Sequence, residues 1–247
     1  MIPLARPSRR QLLAVAPAAF LFAQEPSPSR LRVVCVGGHP DDPESGCGGT
    51  LARYAALGHA VAILYLTRGE AGIAGKSHEE AARIRTAECE AACRILGARA
   101  IFAGQIDGAT VVDANAAESL RRLMAAENPD VVLTQWPIDT HLDHQAAGTL
   151  AFRAWIASGR KFDLYYYEVN AGSQTLNFHA TDYVDITAVR EKKKSALFAH
   201  KSQDGEAIYR NHHQLMEDFR GREAGVTAAE AFVRLAPGRR RGTLPGL

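Results

Sequence analysis

Residues 33–52 read VVCVGGHPDDPESGCGGTLA. An apolar run of strand length ends in paired glycines, and a histidine, a proline and two aspartates follow before more glycines lead on. Such a cluster either binds something or is a costly turn. The strand is apolar at every position from Val33 to Val36, the pattern of a strand covered on both faces.

Outward from this stretch, short apolar runs alternate with helical periods. Arg32–Gly37 reads as a buried strand, residues 50–57 as a helix, residues 60–67 as a second strand, and His78–Leu96 as a helix with apolar residues at helical spacing. ARAIFAG (98–104) and DVVLTQW (130–136) supply two more strands around the helical NAAESLRRLMAAE (115–127). DLYYYEV (163–169) and DYVDIT (182–187) read as strands, followed by helices over 188–200 and 205–219. Strands alternating with helices predict an α/β fold with a mostly parallel central sheet covered on both faces. Ligands of such sheets gather at the carboxyl edge of the strands.

The second cluster lies beyond the fourth strand, where DTHLDHQAAG (139–148) enters a helix running to about residue 155. Alone, His-Pro-Asp-Asp reads equally as a tight turn, and Thr140-x-x-Asp143 as a helix-capping box. A parallel sheet puts both clusters on one rim, where charged and imidazole groups converge without a neutralising partner. A divalent cation resolves that convergence. His39, Asp42 and His144 form a nitrogen and oxygen donor set suited to catalytic zinc, which keeps one position open. Asp41, on an exposed turn beside a ligand, is then placed as general base. His141, one helical turn from His144, stabilises an oxyanion or protonates a leaving nitrogen, and Asp143 orients an imidazole. The positive end of the helix is expected to keep His144 neutral.

Two nucleotide motifs fail. The glycines of GCGGTLA meet Leu51 where a dinucleotide fingerprint requires glycine, and GEAGIAGKS (69–77) has Glu70 where a phosphate loop requires glycine. With 29 basic against 27 acidic residues and a net charge of +2, no nucleic-acid partner is announced. Cys89 and Cys93, four apart on a helix, are too far apart to bridge, and Cys35 and Cys47 read as packing residues.

Residues 1–30 stand apart. Arg6, Arg9 and Arg10 precede an apolar run over 12–23 too short to span a bilayer, then the polar QEPSPSR (24–30). This reads as a signal peptide, and SRRQLL (8–13) resembles the twin-arginine type, predicting export to the periplasm or beyond. One domain is expected over 31–236, followed by a flexible basic tail over 237–247 that contains Arg239, Arg240 and Arg241. No later segment is apolar enough to form a transmembrane span, and the sequence leaves a homo-oligomer open.

GHPDDPESGCGGTLA, LTRGEAG, RTAECEAACRILG, THLDH and GREAGVTAAEAF together resemble the PIG-L family, also called LmbE-like, of zinc-dependent N-deacetylases acting on acetamido sugars. The likeness runs from about residue 31 to 232. It implies a Rossmann-like three-layer sandwich, metal ligands at His39, Asp42 and His144, a base at Asp41 and an intermediate-stabilising His141. The cofactor implied is Zn2+, or Fe2+ in vivo. Arg68 resembles a residue that contacts the sugar in some relatives, or is a surface arginine. Glu44 is a frequent companion of the first motif or caps the following turn, and His200 lies in a segment (AHKSQ) near the pocket of relatives. Asp139 stands where some relatives carry a mobile tyrosine. The expected activity is removal of an N-acetyl group from an N-acetylglucosamine-type small molecule or oligosaccharide. The alternatives are a deacylase of another N-acyl amide, on a lipid or an antibiotic glycoconjugate, and a metal-dependent carbohydrate-binding module without catalysis.

Overall fold

The structure, a computed structural model, describes residues 30–235 and 244–247. The proposed signal peptide and the Arg239–Arg241 run lie outside the described residues.

Seven strands form one sheet in the order β3-β2-β1-β4-β5-β7-β6. β1 (Arg32–Gly37), β2 (Ala60–Tyr65), β3 (Arg99–Phe102), β4 (Val131–Gln135) and β5 (Asp163–Tyr167) are parallel, and β7 (Ala229–Arg234) runs antiparallel to both β5 and β6 (Asp182–Asp185). β1 and β4 are central, and their side chains alternate between two cores. Val33 and Cys35 face Leu51, Cys89 and Leu96, while Val34 and Val36 face Leu120, Met124 and Leu150. Helices α1 (Asp42–Ala56), α2 (His78–Leu96) and α5 (Arg190–Leu197) cover the first face, and α3 (Ala114–Glu127) and α4 (Leu142–Ala157) the second. This is the expected three-layer α/β sandwich. Its strand order reverses between β1 and β4, so the loops after those strands diverge to opposite faces and open a crevice at their carboxyl ends.

The helix expected over 50–57 in fact begins at Asp42. Asp41 and Glu44 form a capping box and Pro43 occupies the first turn, so the turn-like residues are a helix start. The glycines that read as a turn are small-residue contacts: a methyl at Gly46 would strike the Tyr167 ring, and one at Gly49 would lie 2.7 Å from Ile186. The helix kinks at Cys47. Past the kink, Glu230 of β7 accepts hydrogen bonds from the Gly49 and Thr50 amides at 2.9 and 2.7 Å, satisfying donors that a helix start leaves open. Lys193 of α5, fully buried, pairs with Glu230 at 2.7 Å and with Glu217 at 2.9 Å. β7 begins within GREAGVTAAEAF (221–232) and has no counterpart in the sequence reading.

The tail is corrected at its end. Leu244 is buried in the first core, and the Tyr54 hydroxyl donates to the Pro245 carbonyl at 2.9 Å. All four cysteines are free and buried, with the Cys35 and Cys47 sulfurs 3.4 Å apart. Among the described residues no helix is long and apolar enough to cross a membrane.

Candidate metal centre and active site

The two clusters meet at the switch point. The Gly38 amide after β1 donates to Gln135 Oε1 at the end of β4 (2.7 Å), pinning the two strand ends together. From there the chain places His39 and Asp42 on one side and His141, Asp143 and His144 on the other.

Asp42 is the bridge. Its Oδ2 lies 3.0 Å from His39 Nδ1 and its Oδ1 3.3 Å from His144 Nε2. The remaining ring nitrogens are held from behind. His144 Nδ1 meets Asp139 Oδ1 at 3.1 Å, and His39 Nε2 meets Asp143 Oδ2 at 2.9 Å and Asp107 Oδ1 at 3.2 Å. These carboxylates are fixed in turn. Asp139 accepts from the Thr175 hydroxyl (2.9 Å) and the His141 amide (2.9 Å), and Asp143 accepts from the Gly108 amide (2.8 Å) and the Thr110 hydroxyl (2.5 Å). The imidazole that Asp143 contacts is that of His39. Asp139, in place of a mobile tyrosine, is a buried fixture.

Burial and charge compete throughout the cluster. Burial pushes the Asp42 carboxyl up, but the His144 and His39 imidazoles outweigh it and hold Asp42 well below the usual carboxylate range. Burial pulls His39 and His144 down, but Asp42 and the carboxylates behind the rings win. His39 is raised well above its ordinary value and His144 is pushed up to about 9. Without a cation, carboxylates at contact distance outweigh the half-charge of the α4 terminus on His144; a bound cation would need the ring neutral, as expected. Two imidazoles that hold protons this strongly, backed by ionised acids, form a site built for positive charge. The imidazole nitrogens and carboxylate oxygens gathered here are the donors a divalent cation takes.

The donor atoms of His39, His141 and His144 lie within 4.8 Å of one another, as do those of His39, Asp107, His141 and Asp143. Both gathered sets include His141 and neither includes Asp42. Asp42 touches both imidazoles, whereas the His141 ring stacks on His144 at 4.7 Å between centroids with its Nδ1 accepting from the Asp143 amide. Asp107 and Asp143 address the far nitrogen of His39. Burial, together with the charges of His39 and His144, lowers His141 and keeps it neutral.

Asp41 adopts φ 106°, a backbone conformation uncommon for a residue with a side chain. It is largely enclosed, not on an exposed turn: Arg85 of α2 reaches its Oδ2 at 3.2 Å and also donates to the Pro40 carbonyl. Burial raises the Asp41 pKa and Arg85 partly opposes that rise. Arg85 passes close against Gly69 and Gly72, where side chains would collide with it.

Arg68 is placed elsewhere. Its guanidinium is exposed and lies 4.7 Å over the Phe102 ring, and it lines no part of the cavity. The cavity, about 480 Å³, holds the cluster at its base, with Arg85, Asp107, Asn170, Gln174, Gln203 and His213 among its walls. Sequence reasoning missed these six. Asp107-Gly108 lies in the loop that follows β3, a usable signal, and Arg85 opens the quoted RTAECEAACRILG. The AHKSQ segment sends Gln203 to the pocket, while His200 lies beneath it, 3.2 Å from Glu44 Oε1. Glu44 also accepts from the Tyr65 hydroxyl at 2.6 Å and the Asp41 amide at 3.2 Å.

Comparison with known proteins agrees with this arrangement. The family model described as PIG-L, GlcNAc-PI de-N-acetylase, matches residues 34–155, which carry both clusters. Diacetylchitobiose deacetylase of Thermococcus kodakarensis is 29% identical over 87% of this chain and 86% of its own length. A conserved protein of Thermus thermophilus superposes with a TM-score of 0.74 at 31% identity, covering 88% of this chain and 99% of that one. N,N'-diacetylchitobiose deacetylase of Pyrococcus horikoshii, in complex with its inhibitor, gives a TM-score of 0.74 at 25% identity over 86% of each chain. With the paired loops, the switch-point geometry and these likenesses in agreement, the chain belongs to the PIG-L family.

Proposed function

We propose that this protein is a metal-dependent N-deacetylase of acetamido sugars, with His39, Asp42 and His144 holding the cation. Zinc is the proposed metal, with Fe2+ the alternative in vivo. The observation that carries this reading is the contact of Asp42 with both imidazoles, beside the paired Asp41–Arg85, at the base of a polar cavity large enough for one sugar ring or two. The family match and the diacetylchitobiose deacetylase relatives support it.

A cation in this site supplies Lewis acidity, polarising the acyl oxygen and making water a stronger acid. The residues supply the rest. Asp41, its carboxyl raised by burial, accepts a proton from the attacking water as the oxygen–carbon bond forms. Arg85 fixes the orientation of that carboxylate. Neutral His141 donates a hydrogen bond to the developing oxyanion, and the proton passes to the sugar nitrogen as the carbon–nitrogen bond breaks. Acetate and a free amine result. The cavity walls favour a sugar over a long acyl chain, because Asn170, Gln174, Gln203 and His213 present neutral donors and acceptors that match hydroxyl groups.

The test is acetate release from N-acetylglucosamine and N,N'-diacetylchitobiose. Activity that vanishes with chelator and returns with zinc supports the enzyme, and sugar binding with no acetate released leaves only a carbohydrate-binding module. We also propose export by the twin-arginine route, which rests on residues 1–30 alone. Replacement of Arg9 and Arg10 by lysines should retain the protein in the cytoplasm.

A further inference from the structure

His213 is a buried imidazole without an assigned task. It closes a π-helical turn, Tyr209–His213, between the short α6 (Gly205–Ile208) and α7 (Gln214–Ala224). Such one-turn insertions rotate the following side chains out of the regular helical register and concentrate at functional sites. Here the turn drives the His213 ring into the wall of the catalytic cavity with 4% of the residue exposed.

The ring lines the cavity, and its nitrogens are not among the sealed, unpartnered atoms of the described residues. Lys193, His212 and Asp42 act on it electrostatically, and Glu168, Lys193, Glu217, Arg220 and Glu230 line the small cavity it borders. Burial, Lys193 and His212 pull it down to about 3, so it stands neutral at physiological pH, with one ring nitrogen a donor and the other an acceptor. A buried polar group left without a partner costs free energy, and native proteins seldom leave one so. Asn170 shares this wall, and its Oδ1 is buried and unpartnered. Behind both lies a cavity of about 20 Å³, room for a single water. On the main-cavity side, the His213 ring is open to whatever fills that cavity.

We propose that His213 is a specificity-determining residue that hydrogen-bonds a ring hydroxyl of the sugar. This rests on the deacetylase reading, and it adds that selectivity among sugars is set from the α6–α7 turn and not by the metal cluster. A neutral imidazole suits a hydroxyl, which both donates and accepts. It does not suit an acyl chain, which offers nothing to bond.

The experiment compares wild type, His213→Leu and His213→Asn on N-acetylglucosamine and on its 3-, 4- and 6-deoxy analogues, with metal content checked in each. One neutral hydrogen bond corresponds to roughly a three- to tenfold effect. The expected result is that His213→Leu raises KM by about that factor with kcat within about twofold, that His213→Asn recovers part of the loss, and that with one deoxy analogue the penalty disappears. An equal penalty on every analogue, a fall in kcat alone, or no penalty at all would overturn the proposal. Calorimetric binding of N-acetylglucosamine to the same variants separates the two readings. If wild type binds but releases no acetate while His213→Leu binds more weakly, the deacetylase reading fails and the contact stands.

Discussion

The two halves of this molecule contribute different things to one cavity. The parallel half, β1 to β5 with α1 to α4, brings the ionisable cluster together because β1 and β4 are neighbours whose connections part at the switch point. The C-terminal half, β6 and β7 with α5 to α7, contributes a wall of neutral polar groups and the buried Lys193–Glu217–Glu230 network that braces the kinked α1 from beneath. Chemistry is concentrated in the first half. On the proposal above, sugar preference belongs to the second. Substitutions in the first should therefore strike turnover or metal, and those in the second should strike stability or sugar preference.

The largest expected effect is at Asp41. Asp41→Asn keeps the side-chain size and should retain the metal while kcat falls by roughly 10² to 10⁴-fold, the usual contribution of a general base. Unchanged kcat at full metal content would remove Asp41 from the role.

Next is Lys193, in the other half. Lys193→Met leaves Glu230 buried without its cation, while Glu217 keeps Arg190 at 2.9 Å; breaking a buried pair typically costs about 3–5 kcal/mol. Denaturant unfolding should show a loss of that order. A loss below about 1 kcal/mol would mean that α1 is not held from the C-terminal half.

Asp139→Asn is a subtler blow to the first half. The Asp139 carboxylate holds His144 Nδ1, and loss of such a support typically lowers metal affinity or activity by about 10 to 100-fold. Competition with a chelator measures it directly, and an unchanged affinity would show that His144 needs no such support.

The smallest effect concerns pH. In the folded protein His213 titrates near 3, below the unfolded value near 6.5, so the unfolded chain binds more protons between those limits. Stability from this group is complete above about pH 6.5 and is lost as pH falls towards 3. His213→Gln should flatten the acid limb of the stability profile by up to about 1.4 kcal/mol per pH unit. An unchanged slope between pH 6 and 4 would show that His213 already has a proton partner.

The same division explains what could be read in advance. β1, β2, α2, β4 and both loop clusters were legible because central parallel strands are uninterrupted apolar runs and their carboxyl ends carry conspicuous ionisable residues. The α1 start was not. Asp-Pro-Glu followed by Ser-Gly-Cys-Gly-Gly has the composition of a turn, and only contact with Tyr167 and Ile186 makes those glycines helical. β7 was hidden because Glu230 interrupts its short apolar pattern, and that glutamate is buried by partners far away in sequence. Arg85 was overlooked for a similar reason. On α2 it is one arginine among several, and its function comes from the glycines at 69 and 72 that let it reach Asp41. Arg68 looked better placed in sequence, at the end of β2, yet it turns outward onto Phe102.

The cation itself is the most direct measurement. Crystals of zinc-loaded protein, with anomalous differences collected at the zinc edge, should show one ion about 2.0–2.2 Å from His39, Asp42 and His144, with a further position open towards Asp41. An ion held instead by Asp107, His141 and Asp143, or full deacetylation by protein stripped of metal, would contradict the account.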